Sequence, residues 1–260
     1  MKKIFAALLA ALMIFSLCAC KKKDEDGGSN IDMSVTADKN IFETGNEFGD
    51  TFTYQVVNGN EISITGFDGS DVPHAVTLPL SIHDYAVTEV GAGAFYQKSN
   101  LLSVTVPEGI KKIGNFAFSG CTQMTGVTLP ATLLSVGDGA FTGCASLTRV
   151  ELPDSVQTLG SMLFFNCEKL ASVKLPAGLK EIPAQFAMNC PALTTVEGGA
   201  ALTKIGAHAF FACTALATMP FPGTLTEIGD YAFANCLSLT KPTLGADVKI
   251  GENAFTVVRK

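Results

Sequence analysis

The chain has no tryptophan, three histidines and four tyrosines among its 260 residues. The missing tryptophan disfavours an indole platform for stacking sugars, although Tyr and Phe can serve in its place. So few histidines leave little material for acid–base or metal chemistry. The longest apolar run, Ile4 to Leu17, is too short to span a bilayer. Excess positive charge is also missing: 18 Lys and Arg face 24 Asp and Glu, a formal charge of −6. Without Lys2 and Lys3 the balance is 16 against 24. That acidity argues against nucleic acid as a partner, because phosphate binding needs clustered Lys and Arg. No Gly-x-Ser-x-Gly, P-loop or His-Glu-x-x-His motif occurs. The chain is therefore expected to be no enzyme and to carry no cofactor or metal.

The histidines fit that expectation. His74 and His83 stand near Asp71 and Asp84, and His83-Asp84 could mimic an acid–base pair, but no nucleophile motif accompanies it. His208 shares a repeat slot with Phe116, Gly139, Met162, Gln185 and Tyr231. Such variability marks a solvent-facing or rim position.

Cysteine is plentiful by contrast. Cys121, Cys144, Cys167, Cys190, Cys213 and Cys236 each follow the last by 23 residues. A fixed period of this length is the signature of a solenoid. Eight residues before each cysteine stands an aliphatic: Ile113, Val136, Leu159, Ile182, Ile205 and Ile228. Gly follows it at 114, 137, 160, 206 and 229, with Pro183 the departure. An Ala-Phe pair comes next, as at Ala117-Phe118 and Ala140-Phe141, changed to Leu163-Phe164 and reversed at Phe186-Ala187. Three residues past the cysteine is Leu or Met, and then an alternating stretch such as Val150-Glu151-Leu152-Pro153.

Alternation in Val-x-Leu gives a short strand with one side chain in and the next out. Proline ends it, having no N–H for a ladder. Each coil then turns, buries its aliphatic, passes through Gly and buries Phe. With strands stacked at about 4.8 Å, seven to eight coils make a parallel sheet on the order of 35 Å long. So short a unit leaves irregular or 3-10 turns opposite the strand, with little room for a helix. Asn58-Gly59-Asn60, between alternating runs 52–54 and 62–65, signals a β-hairpin. Residues 50–90 are read as an N-terminal cap with a variant first coil, since Leu78 to Val90 is five residues longer than later copies.

These residues resemble the BspA-like leucine-rich repeats of bacterial surface lipoproteins, over roughly residues 76–256. The resemblance implies a right-handed leucine-rich-repeat solenoid over 91–260, and a role in adhesion to host proteins or to other cells.

The cysteine column is expected to be structural. Stacking brings Cα atoms to about 5 Å, but parallel Cβ vectors keep the Cβ atoms near the coil spacing, not the ~3.8 Å of a disulfide. A straight column cannot converge on zinc either.

Met1-Lys2-Lys3 and the apolar run form a signal peptide, residues 1–19. Leu17-Cys18-Ala19-Cys20 looks like a bacterial lipobox, which implies cleavage before Cys20 and its lipidation. Lys21–Lys23, Asp24-Glu25-Asp26 and Gly27-Gly28-Ser29 read as a flexible tether, with the lipidated cysteine and linker covering 20–49. The Lys-then-acidic order resembles the surface-export signal of Bacteroidetes lipoproteins. It implies a cell-envelope protein, lipid-anchored and exposed outside the outer membrane, with no other membrane contact.

Binding is expected where the period fails. The outward positions Thr105, Thr128, Glu151, Lys174 and Glu197, with Arg149 beside them, vary while inward positions repeat. They form the candidate binding face for a protein or glycan on host or neighbouring cells. An accessory glycan- or peptide-binding lipoprotein for nutrient uptake, and a structural envelope protein, are the other functions this pattern allows.

Overall fold

Three short segments per repeat, each stacking on its counterpart 23 residues away, build the chain. The computed structural model describes residues 41–43, 48–240 and 242–257, all within the unit Ala37–Lys260. Cys20, the expected signal peptide and most of the expected tether lie outside the described residues. The described residues form strands and turns, parallel through the repeats and antiparallel in the N-terminal hairpins, without α- or 3-10 helix.

The first side is the alternating Val-x-Leu stretch. β4 (His74–Thr77), β7 (Leu101–Thr105) and β9 (Gly126–Thr128) pair in parallel. So do β11 (Arg149–Glu151), β13 (Ser172–Leu175) and β15 (Thr195–Gly198), and a lone bridge continues from Thr195 to Thr218. Val104, Val150, Val173 and Val196 point into the core.

Each coil adds a second, two-residue strand at the aliphatic before the glycine. β8 (Lys112–Ile113), β10 (Ser135–Val136) and β12 (Thr158–Leu159) extend a ladder begun by β3 (Glu61–Asp68) and β6 (Tyr85–Val90). β14 (Glu181–Ile182), β16 (Lys204–Ile205), β17 (Glu227–Ile228) and β18 (Lys249–Ile250) form another. The break between β12 and β14 has a covalent cause. Elsewhere the glycine N–H donates to the aliphatic carbonyl one coil back, as from Gly160 to Val136 at 2.8 Å. Pro183 stands in that slot and has no N–H to give.

The third side is the Gly-to-Cys segment. Its N–H groups alternate between two destinations. Phe116, Phe118 and Gly120 donate to carbonyls of the next coil, at Asp138, Ala140 and Thr142, each at 2.8 Å. Ala117, Ser119 and Cys121 donate three residues back along their own coil. These donors are satisfied without a helix. The geometry needs left-handed backbone at two places per coil: Phe116 and Gly120, Gly139 and Gly143, Met162 and Asn166, and their later equivalents.

The column glycines let successive coils touch backbone to backbone. A Cβ on Gly160 would be driven into the main chain of Gly137 and Asp138. Next to Pro183, where the slot does hold a side chain, the Met162 N–H bond to Ala184 is stretched to 3.2 Å, against 2.8 Å for Phe116 and Gly139. Gly160→Ala is therefore expected to cost about 1–3 kcal/mol through overpacking. Urea unfolding checks this, and a loss below about 0.5 kcal/mol would refute the close contact.

A column of phenylalanines fills the core. Phe95, Phe118, Phe141 and Phe164 stack with centroids 5.0, 5.5 and 5.7 Å apart and planes within 22°. The reversed pair Phe186-Ala187 brings its ring in one residue early, so Phe186 meets Phe164 at 86° and Phe210 at 70°. Stacking resumes from Phe210 through Phe233 to Phe255.

The hairpin closes the N-terminal end. β2 (Thr51–Asn58) and β3 pair antiparallel around Gly59-Asn60, and β3 covers the edge of β6. Phe67 stacks on Phe95 at 5.0 Å, continuing the aromatic column into the cap. One boundary differs from expectation. The linker was expected to reach residue 49, yet β1 (Ile41–Glu43) pairs with β2 through Phe42 opposite Phe52. The five extra residues of the first coil form a tight hairpin between β5 (Ser81–Ile82) and β6, with His83 and Asp84 both at positive φ in the turn. Two successive left-handed residues are what a type I′ turn requires.

Candidate functional site

The first-side strands project a column of varied side chains into solvent. Thr105 lies in register with Thr128, and Lys174 lies between Glu151 and Glu197. All five are exposed, as is Arg149. Arg149 and Glu151, two residues apart on one strand and so on one face, form a 2.7 Å ion pair. More than half of each side chain is exposed, so the pair contributes little to stability. Its groups stay available to a partner that removes the water.

Four of the six expected face residues come together. Thr105, Thr128, Arg149 and Glu151, with Ser103 and Gly126, line a shallow groove of about 490 Å3. Gly126 makes its notch: a Cβ there would meet nothing within 4 Å. Lys174 and Glu197 lie further along the sheet, outside the groove. The column ends sooner than the sequence suggests. Beyond the bridge at Thr218 the described residues form no strand on this side.

Two features escaped the sequence reading. Thr125 and Thr148 line the same groove, and their hydroxyls donate to the carbonyls of Leu102 and Thr125 one coil back, at 3.2 and 3.3 Å. Thr194 does the same to Ala171. Threonine at this 23-residue step was the available signal. The second is a charged column on the other ladder, where Glu181, Lys204, Glu227 and Lys249 alternate in register. Lys204 sits 3.5 Å from Glu181 and 3.6 Å from Glu227, and Lys112 sits 2.8 Å from Glu89. This column neutralises itself between coils and aligns them.

The six repeat cysteines are free and buried. Each thiol donates to a carbonyl of the preceding coil, as Cys121 to Phe95 at 3.1 Å and Cys167 to Phe141 at 3.1 Å. Where the Phe-Ala pair is reversed, Cys213 finds the Ala187 carbonyl at the same backbone position. Burial pushes the Cys121 and Cys236 thiols from 9.0 up to about 12, and it raises Cys144, Cys167 and Cys213 well above 9.0. Protonated, buried thiols are poor nucleophiles and poor metal ligands. Among the described residues, no three His, Cys, Asp or Glu side chains gather as a metal site would require. A serine at 167 would inherit the Phe141 acceptor. Cys167→Ala and Cys167→Ser are thus both expected to cost about 0.5–1.5 kcal/mol. A serine loss above about 3 kcal/mol in urea unfolding would show that the hydroxyl is not accommodated.

The histidines are held by structure. His74 is buried, its Nδ1 donating to the Val72 carbonyl at 2.8 Å while Nε2 faces Asp50 at 2.8 and 3.1 Å. Its neighbour in the pair is Asp50, not the nearby Asp71. His83 serves the tight turn, with Nδ1 3.0 Å from the Tyr54 hydroxyl. His208 is half-buried at a left-handed position and stacks on Tyr231 at 5.1 Å.

Comparison with known proteins agrees with this architecture. The family model described as "BspA type Leucine rich repeat region" matches residues 88–213 and 182–260, in six copies. Among solved structures, a leucine-rich repeat protein of T. pallidum is 28% identical; the match covers 76% of this chain and 91% of that one, at a TM-score of 0.55. One from Eubacterium ventriosum is 20% identical over 72% of this chain and 65% of its own, at a TM-score of 0.58, a likeness of fold alone. No curated protein matches the chain.

Proposed function

The chain belongs to the BspA-type leucine-rich repeat family, and from that premise we propose that it is a lipid-anchored surface protein that holds a protein ligand on host or neighbouring cells. The observation that carries this reading is the groove on the first-side sheet. Inward positions there repeat while Thr105, Thr128, Arg149 and Glu151 vary and stay exposed. Extended sheet faces of solenoids commonly bind macromolecules in this way. The Cys20 lipobox and the charged stretch after it support attachment to the outer face of the envelope. Several acyl chains at one cysteine hold a protein stably, where one chain is marginal.

The ligand is expected to displace water around Arg149 and Glu151, which makes their charges decisive for register and selectivity. Reversing Arg149→Glu, Glu151→Arg and Lys174→Glu together is expected to weaken binding to immobilised host matrix and cell-surface proteins at least tenfold. The fold should persist, because all three side chains are exposed. Equal binding by the reversed and native proteins would place the ligand elsewhere, and absence of any protein ligand would overturn the adhesive role.

A further inference from the structure

The cysteine column fails in the first coil, and a second depression lies there, between the end of β3 and the turn that leads into β7. Lys98 takes the cysteine slot. The cap loop after β3 and the turn at 97–100 enclose about 380 Å3 between them. Asp71, Gln97, Ser99, Asn100 and Gln123 line it, with the Lys98–Asp68 pair at its rim. Every one of these side chains is polar.

The loop that forms one wall is braced from beneath. The Ser70 N–H donates to the Phe48 carbonyl, and the Val72 N–H to the Ser70 hydroxyl, at 2.9 and 3.1 Å. His74 grips the Val72 carbonyl with one ring nitrogen and Asp50 with the other, while Phe48 stacks on the imidazole at 4.0 Å and 7°. Asp50 and His74 are both buried, an arrangement that costs desolvation and that the repeat pattern does not require. Asn100 donates to the Ser70 carbonyl and so ties the facing turn to the same loop. The result is a preformed wall.

The geometry points to this pocket as a binding site for a neutral saccharide, distinct from the sheet-face groove. Asp71, Ser99 and Gln123 have no side-chain hydrogen bond among the described residues, so they are free for a ligand. Carboxylate, hydroxyl and amides together offer both acceptors and donors, which is what vicinal sugar hydroxyls need. Lys98 and Asp68 cancel, leaving one net negative charge, and this disfavours phosphate or sulfate. The volume suits one or two hexose rings.

The test is titration of the full chain with maltose, cellobiose, lactose and diacetylchitobiose, read by saturation-transfer NMR and calorimetry. At least one disaccharide is expected to bind saturably. Asp71→Asn combined with Gln123→Ala should weaken it at least tenfold with the melting temperature held, because both side chains are exposed. Arg149→Glu, on the sheet face, should leave it unchanged. Failure of all four sugars overturns the proposal. So does binding that survives the double variant or falls with Arg149→Glu, and so does saturable binding of lysine amide or calcium in place of sugar. Only a fall with Arg149→Glu bears on the sheet face, since it would place the sugar there; the other outcomes leave the protein ligand of that face untouched.

Discussion

Raising the pH above about 9 is expected to unfold this protein within one to two pH units. Five buried thiols are responsible. Cys121 and Cys236 hold their protons to about 12, and Cys144, Cys167 and Cys213 hold theirs well past 9.0, because ionisation inside the core forfeits hydration. Unfolded, the same thiols ionise near 9.0. Below that pH both states are protonated and nothing is lost. Above it the unfolded chain binds fewer protons than the folded one, so stability falls as pH rises. Each thiol contributes a slope of about 1.4 kcal/mol per pH unit, and five together about 7 kcal/mol. A domain of ordinary stability, about 5–15 kcal/mol, cannot withstand that for long.

Far-UV circular dichroism against pH would follow the transition, and its steepness counts the protons released. Four to five are expected. Removing three thiols, as Cys144→Ala, Cys167→Ala and Cys213→Ala, should move the midpoint upward and reduce the count by about three. A transition releasing fewer than two protons, or one that ignores the triple replacement, would show that the column does not govern alkaline stability. The triple variant separates the share of the thiols from that of all other groups.

The solenoid was legible because its causes repeat. Cys, Phe and Val-x-Leu each recur at an inward slot, and one glance along the period places them in a core. Two things were less legible for physical reasons. The second strand of each coil has two residues, as at Lys112-Ile113, too short for alternation to register. The left-handed positions carry Phe116, Met162, His208 and Tyr231, none of which announces positive φ. Gly93 and Gly139 in that slot, and Gly120, Gly143, Asn166, Asn189 and Asn235 in the next, were the available clue. Gly and Asn are the residues that enter this region most readily. For the candidate site, the outward column was readable but the groove was not. It depends on Gly126 opening a notch beside Arg149, and on threonines bonding between coils. The buried Asp50–His74 pair could not be read at all, since the two residues lie 24 apart outside any repeat.

Phe141→Ala is expected to remove about 3–5 kcal/mol of stability and to divide a single unfolding transition in two. The ring lies fully buried between Phe118 at 5.5 Å and Phe164 at 5.7 Å. Its loss leaves a cavity that the neighbouring coils cannot close, because their backbones already touch at Gly137 and Gly160. The two parallel ring contacts go with it. In a solenoid each coil is stabilised only by its neighbours, so damage in the middle uncouples the two ends. Phe210→Ala should cost a similar amount, since that ring is equally buried and contacts Phe186 and Phe233. Phe255 stacks on Phe233 but is only half-buried in the last coil, so Phe255→Ala should cost less and leave one transition. Urea unfolding followed at several wavelengths, with hydrogen exchange resolved by coil, distinguishes these outcomes. A loss below about 1 kcal/mol for Phe141→Ala would mean that the aromatic column is not what holds the coils together, and that the backbone ladders alone suffice.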